Sequence, residues 1–216
     1  MKKALFVGSV VLLFLVFIVG TLVYNTEKVD EATATVAQNR EALARPHAPT
    51  LGNHEAKVHI VEFLDPACET CAEFSSFVKQ LMKAHPDKIR LSVRHAPFHQ
   101  GSDQVVAALE AARNQGKYWE ALEALFASQS AWTVHHLVQV ERIWQPLASA
   151  GVDVARVKNE MNSAEIKALI GRDVADAKAL NVTKTPEFFV NGKPMPSFGY
   201  AQLTQLVNDA LAQSYR

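Results

Sequence analysis

His59-Ile60-Val61-Glu62-Phe63-Leu64-Asp65-Pro66-Ala67-Cys68-Glu69-Thr70-Cys71 is the stretch on which the reading of this chain turns. Its first half is rich in β-branched and aromatic residues, as strands are, and it stops at Asp65-Pro66. Its second half opens an amphipathic run in which Cys71, Phe74, Phe77, Val78, Leu81 and Met82 recur at helical spacing. The pattern predicts a strand that hands over at once to the first turn of a helix, with the cysteine pair in that turn. Backbone N–H groups there have no intrahelical partner, and the macrodipole favours negative charge. A thiolate at Cys68 would be stabilised, its pKa lowered and its reactivity raised. Cys68 and Cys71 are the only cysteines among 216 residues, and a C-x-x-C at a helix start points to redox chemistry.

Working outward, the composition is 49% hydrophobic, enough for one domain with a real core. Lysine plus arginine equals aspartate plus glutamate at 22 each, so no global field points to nucleic acid or an acidic substrate. Met1-Lys2-Lys3 precedes an uncharged stretch from Ala4 to Tyr24, about the length a helix needs to cross a bilayer. That exceeds the usual signal-peptide core of about 7–15 residues and favours an uncleaved anchor over residues 1–24. Ala32-Thr33-Ala34 is a possible cleavage site, but it lies behind Glu27, Lys28, Asp30 and Glu31. The positive flank argues for a cytoplasmic N-terminus and an exported remainder. A bacterial chain of this design would be single-pass in the inner membrane, with its cysteines in the periplasm or another extracytoplasmic space, where disulfide chemistry is permitted.

Residues 25–50 read as a polar linker or stalk ending in Arg45-Pro46-His47-Ala48-Pro49. Leu22, Val29, Val36 and Leu43 fall seven apart, like one seam of a coiled coil. Asn25, Ala32 and Asn39 complete that seam poorly, so a solvated helical spacer is the expectation. From residue 51 the chain mixes elements: a strand over Val58 to Leu64, a helix over Cys68 to His85, a strand over Lys88 to Arg94. A mostly helical block then runs from Ser102 to about Leu180, with Trp119, Leu125, Phe126, Trp132, Leu137 and Trp144 as its expected core. Glu187 to Val190 is a strand, Asn191-Gly192 a hairpin turn, and Pro196 to Tyr200 its partner or a loop. Tyr200 to Ser214 closes with a helix.

Three phrases in this order carry a family resemblance: Val61 to Cys71, Ala111-Ala112-Arg113-Asn114-Gln115-Gly116-Lys117-Tyr118-Trp119, and Thr185-Pro186-Glu187-Phe188-Phe189-Val190-Asn191-Gly192. The chain resembles the DsbA-like branch of the thioredoxin superfamily over about residues 50–215. The resemblance implies an α/β thioredoxin-like fold over residues 51–216, a central mixed sheet flanked by helices, with a helical insertion at about 102–180. It also implies a thiol–disulfide oxidoreductase with no cofactor beyond the cysteine pair. Cys68 would be the attacking thiol and Cys71 the resolving one. Thr185-Pro186 matches the family's cis-proline loop, against which an extended substrate chain pairs. Glu62 matches the buried acid beneath the resolving cysteine, with a raised pKa suited to carrying its proton; an outward-facing strand residue is the plainer alternative. By the same resemblance, the implied direction is oxidation of dithiols in exported proteins, with a quinone-linked membrane partner restoring the disulfide.

The departure lies inside the motif, where strongly oxidising relatives usually carry Pro-His. Glu69-Thr70 stands there instead, and a carboxylate disfavours a second negative charge beside it. A weaker thiolate makes a less oxidising disulfide, so reduction or isomerisation of specific envelope proteins is the alternative direction. A competing class is a zinc or copper site built from Cys68, Cys71, His95 and His99, with His54 and His135-His136 as further candidates. The gap from Cys71 to His95 is not a finger spacing, and the expectation is no metal. A binding or assembly protein that keeps the fold without turnover is a third class.

Overall fold

The computed structural model describes residues 2–135 and 137–216, so the His136 candidate lies outside the described residues. Helix α1 runs unbroken over Lys2–Gln38 and is long and apolar enough to cross a membrane, its most apolar window having a mean hydropathy of 1.6. Leu12 to Val19, Leu22, Val23 and Tyr24 stand exposed along it. A single turn, α2 (Arg40–Leu43), follows.

The body is an α/β sandwich around one mixed sheet. Strands β1 (Thr50–Gly52), β2 (Val58–Leu64) and β3 (Ile89–His95) are joined by helix α3 (Glu69–Ala84), which crosses from β2 to the parallel β3. Every residue of β2 but His59 is buried, because helices cover both faces of the central strands. Helices α4 (Ser102–Arg113), α5 (Tyr118–Ala127) and α6 (Gln129–Trp132) begin the insertion. A small hairpin, β4 (Thr133–Val134) with β5 (Leu137–Val138), interrupts it, and α7 (Trp144–Ser149), α8 (Val154–Glu160) and α9 (Ala164–Ala179) complete it. Asp153 and Ser163 cap α8 and α9 by accepting the N–H of Arg156 and Ile166. Strands β6 (Glu187–Val190) and β7 (Lys193–Pro194) and helix α10 (Tyr200–Ser214) end the chain. The sheet order is β1-β3-β2-β6-β7, with β6 antiparallel to β2.

Three clusters fill the interior. Ile60, Leu91 and Phe188 pack under Phe74 and Val78 of α3 and Leu203 and Val207 of α10. Val61, Phe63 and Phe189, on the opposite face, meet Ala177 of α9 and Leu180. The insertion buries Val105, Leu109, Leu125, Trp132 and Leu147 against Leu64, Cys71 and Val93, so it closes over the sheet end that carries the cysteines.

Several expectations shift. Of the two readings of Pro196 to Tyr200 the loop holds up to Gly199, and the hairpin partner is Lys193–Pro194, with Asn191 and Gly192 both at positive φ in the tight turn. β1 begins at Thr50, inside the segment read as linker. Leu137 is 48% exposed, because it sits in the β4–β5 hairpin rather than on a packed helix. The solvated spacer ends early: Val36, Ala42 and Leu43 are buried in the cluster with Val61 and Phe63. Arg94, wholly buried, donates to the carbonyls of Ala42 and Leu43 and to Asp173 and Asp176 of α9, at 2.7 and 2.6 Å from its Nη2. Arg45 reaches both oxygens of Asp176 at 2.7 and 2.8 Å. Two carboxylates and two guanidiniums thus clamp α2 and α9 to the sheet.

Candidate redox site

The cysteine pair is placed by Asp65, whose carboxylate is fully buried. Its Oδ1 accepts the Ala67 N–H at 2.9 Å and the Ser102 hydroxyl; its Oδ2 accepts the N–H of Phe98 and His99 at 2.7 and 2.8 Å and contacts His99 Nδ1 at 2.8 Å. Its carbonyl accepts the Cys68 N–H at 3.0 Å. Gln129 Nε2 donates to the Pro66 carbonyl at 2.8 Å. One carboxylate therefore ties the turn after β2 to the 96–102 loop. Sequence reasoning saw Asp65 only as a strand end; the available signal was an aspartate opening a turn, where its side chain commonly accepts the N–H two residues on.

Cys68 is the N-cap of α3, extended at φ −80° and ψ 119°, with Glu69, Thr70 and Cys71 in the first turn. Both cysteines are unbonded; Cys68 keeps 8% of its surface exposed and Cys71 none. The Cys71 thiol donates a hydrogen bond to the Cys68 sulfur and, against the opposing effect of burial, leads in lowering the Cys68 pKa to about 6. The Thr185 side chain and the N–H groups of Cys71 and Thr70 add to this, the orphan donors expected at a helix start. For Cys71 burial dominates, and with the Cys68 bond and the nearby Glu62 carboxyl it pushes the thiol well above its ordinary value. The two sulfurs are thus pulled apart in acidity, one poised to ionise and one to stay protonated.

Glu62 lies beneath them at 1% exposure, so it does not face outward; both faces of β2 are covered. Burial, reinforced by charge on Cys68, raises its pKa to about 8, and its Oε1 has no hydrogen-bond partner among the described residues. Across the sheet end, the Thr185–Pro186 peptide is cis, and the Thr185 carbonyl stands 3.3 Å from Cys68 Sγ. That places the loop before β6 directly over the Cys68 sulfur. Glu69 is exposed and Thr70 half-buried, in the same first turn of α3. Phe198 and Tyr200, both exposed, pack on Phe74 at ring distances of 4.9 and 4.4 Å, giving α3 an apolar shelf.

The histidines do not gather around the sulfurs. His95 Nε2 bonds the Tyr118 hydroxyl at 3.0 Å, and His99 is held by Asp65. His54 is exposed, near the β1–β2 turn, and His135 is exposed in the β4–β5 hairpin. Among the described residues no three histidines, cysteines or carboxylates are grouped to hold a metal ion.

A family model described as thioredoxin matches residues 44–209. A thioredoxin-like oxidoreductase from Silicibacter pomeroyi superposes with a TM-score of 0.69 at 32% identity, covering 80% of this chain and 98% of that one. A probable disulfide bond formation protein D from Bacillus anthracis is 27% identical over 203 residues, 88% of this chain and 89% of its own. A Na(+)/H(+) antiporter NhaA from Herminiimonas arsenicoxydans is 30% identical over 190 residues, 87% of this chain but 30% of its own. The chain spans less than a third of the length of the antiporter relatives it matches.

Proposed function

Because the chain belongs to the thioredoxin family, we propose that it is a thiol–disulfide oxidoreductase, tethered by α1 to a bacterial inner membrane and working on its extracytoplasmic side. The carrying observation is the pairing of an acidified Cys68 sulfur, on a residue that keeps 8% of its surface exposed, with a wholly buried, proton-holding Cys71, directly under the Thr185–Pro186 loop. In the oxidising direction a substrate thiolate attacks Cys68 Sγ of the Cys68–Cys71 disulfide, and Cys71 leaves as a thiolate. Glu62, protonated near neutral pH, supplies the proton that Cys71 holds in the reduced state. A second substrate thiolate then attacks the substrate sulfur of the mixed disulfide and expels Cys68. Two electrons pass from the substrate dithiol to the cysteine pair, and the low pKa of Cys68 makes it the better leaving group. The Thr185 carbonyl and the apolar shelf around Phe198 offer an extended chain one backbone acceptor and an apolar wall.

Exported proteins bearing thiols are the substrates of this reading, and a quinone-linked membrane oxidase restores the disulfide. Glu69 favours a second direction, reduction or isomerisation of specific envelope proteins, because it supplies no positive charge to the Cys68 thiolate. Acid quench and alkylation of intact cells decides between them: a mainly disulfide population is expected for the oxidase, a mainly dithiol one for the reductase. Cys71→Ser should accumulate mixed disulfides through Cys68; their absence overturns the exchange mechanism.

A further inference from the structure

A well-formed cleft lies away from the cysteines. It has a volume of about 590 Å³ and lies between the Arg45–Pro49 strap, the edge of the sheet and the start of α5. That is the size of a small-molecule site, typically about 300–1,000 Å³. None of Cys68, Cys71, Thr185 and Pro186 lines it.

Its lining holds Arg45, Arg90 and Arg113 and neither aspartate nor glutamate. Two of the three guanidiniums are committed: Arg45 to Asp176, and Arg113 to Glu110 at 2.6 Å. Arg90 makes no ion pair or hydrogen bond through its side chain among the described residues, and its Nε is wholly buried without a partner. Its neighbours do not compensate it. His59 is held neutral by burial and by the Arg90 charge, its pKa lowered to about 4. The His59 Nε2 contacts Ser92 Oγ at 2.8 Å, and Ser92 Oγ contacts Thr50 Oγ1 at 2.8 Å, so these polar groups satisfy one another. The Nε–H is closed off from the cleft, but the outer guanidinium nitrogens of this half-buried side chain also make no hydrogen bond among the described residues, and a planar oxyanion can accept two parallel N–H bonds from them. The lining also includes the apolar rings of Trp119, Pro46 and Pro49.

We propose that this cleft binds a small oxyanion, a carboxylate or phosphate, carried on an aromatic or similarly flat body, with the anion on Arg90 and the ring against Trp119. The site is separate from the cysteine pair and does not depend on the exchange reading. Calorimetric titration of the full chain in detergent, using phenyl phosphate up to about 10 mM, tests it against the millimolar Kd of a weak specific site. One saturable site is expected, weakened roughly tenfold or more in Arg90→Gln, with phenol not binding and inorganic phosphate binding more weakly. In Trp119→Leu the preference for phenyl phosphate over inorganic phosphate should vanish while phosphate binding persists, which keeps the test decisive if Arg90→Gln misfolds. Thiol–disulfide exchange by Arg90→Gln should match that of the parent. Absence of saturable binding, unchanged affinity in Arg90→Gln, or equal affinity for phenol overturns the proposal.

Discussion

At the residue scale the site is a division of acidity between neighbours. Cys68 should react with iodoacetamide with a titration midpoint near pH 6, whereas an ordinary thiol titrates at about 8.5. A midpoint at the ordinary value would remove the basis for placing the attacking sulfur there. Glu62 makes a prediction with the opposite sign in stability. Its folded pKa is raised from 4.5 to about 8, so the stability it permits is full below about pH 4.5 and is lost as pH rises through about 8. In the reduced protein, Glu62→Gln should match the parent in denaturant unfolding at acid pH and exceed it by about 2 kcal/mol or more above pH 8. The same variant should slow exchange by roughly a hundredfold, because the proton for Cys71 then comes from bulk water. Stability without lost activity would leave Glu62 a buried acid with no part in the chemistry. Glu69 acts more weakly, since it is exposed and screened. Glu69→His should raise the reduction potential by an amount on the order of 30 mV, more at low salt, as measured against glutathione.

At the element scale, the clamp of Arg94, Asp173, Asp176 and Arg45 decides how the N-terminal segment and α9 meet the sheet. Burial works to raise the Asp173 pKa, but His95 and Arg94 outweigh it and hold the carboxyl well below the ordinary range. Its stabilising contribution is therefore present above about pH 4 and is lost as pH falls below it. Asp173→Asn should cost about 3–5 kcal/mol at pH 7, by leaving a buried guanidinium short of charge, and much less at pH 2. A pH-independent cost would mean the loss is one of packing. This clamp was not legible in the sequence, because Arg94 sits in a strand pattern and its partners lie on a helix far along the chain. The position of Cys68 and Cys71 at a helix start was legible from the local pattern, whereas Glu62 and the Thr185–Pro186 loop were singled out only through the family resemblance. Asp65 escaped for the reverse reason: four of its five contacts come from Phe98, His99 and Ser102, more than thirty residues along the chain, and only the Ala67 N–H is local. The hairpin was placed correctly by Asn191-Gly192, while its second strand, Lys193–Pro194, is too short to show alternation.

At the scale of the whole molecule, the connection between the apolar helix and the catalytic body is a packed joint. Val36 and Leu43, half of the seven-spaced apolar set, are spent on Val61, Phe63 and Phe189 of the sheet. Each such side chain contributes about 1.5–3 kcal/mol when fully buried, and Arg94 adds hydrogen bonds to two carbonyls of the same segment. A seam that has lost Val36 and Leu43 to its own domain retains only Leu22 and Val29, too little for a coiled coil. The fragment 26–216, which keeps only Val29 of that remainder, should therefore sediment as a monomer, and a dimer would show that the joint opens to pair with a second copy. Removing the joint has a different signature. A fragment starting at residue 51 exposes Phe63 and strips Arg94 of two acceptors, so it should unfold at lower denaturant than 26–216, by several kcal/mol. Equal midpoints would make residues 36–49 a passive spacer, and α1 would then carry the redox site on a loose tether with its orientation unfixed.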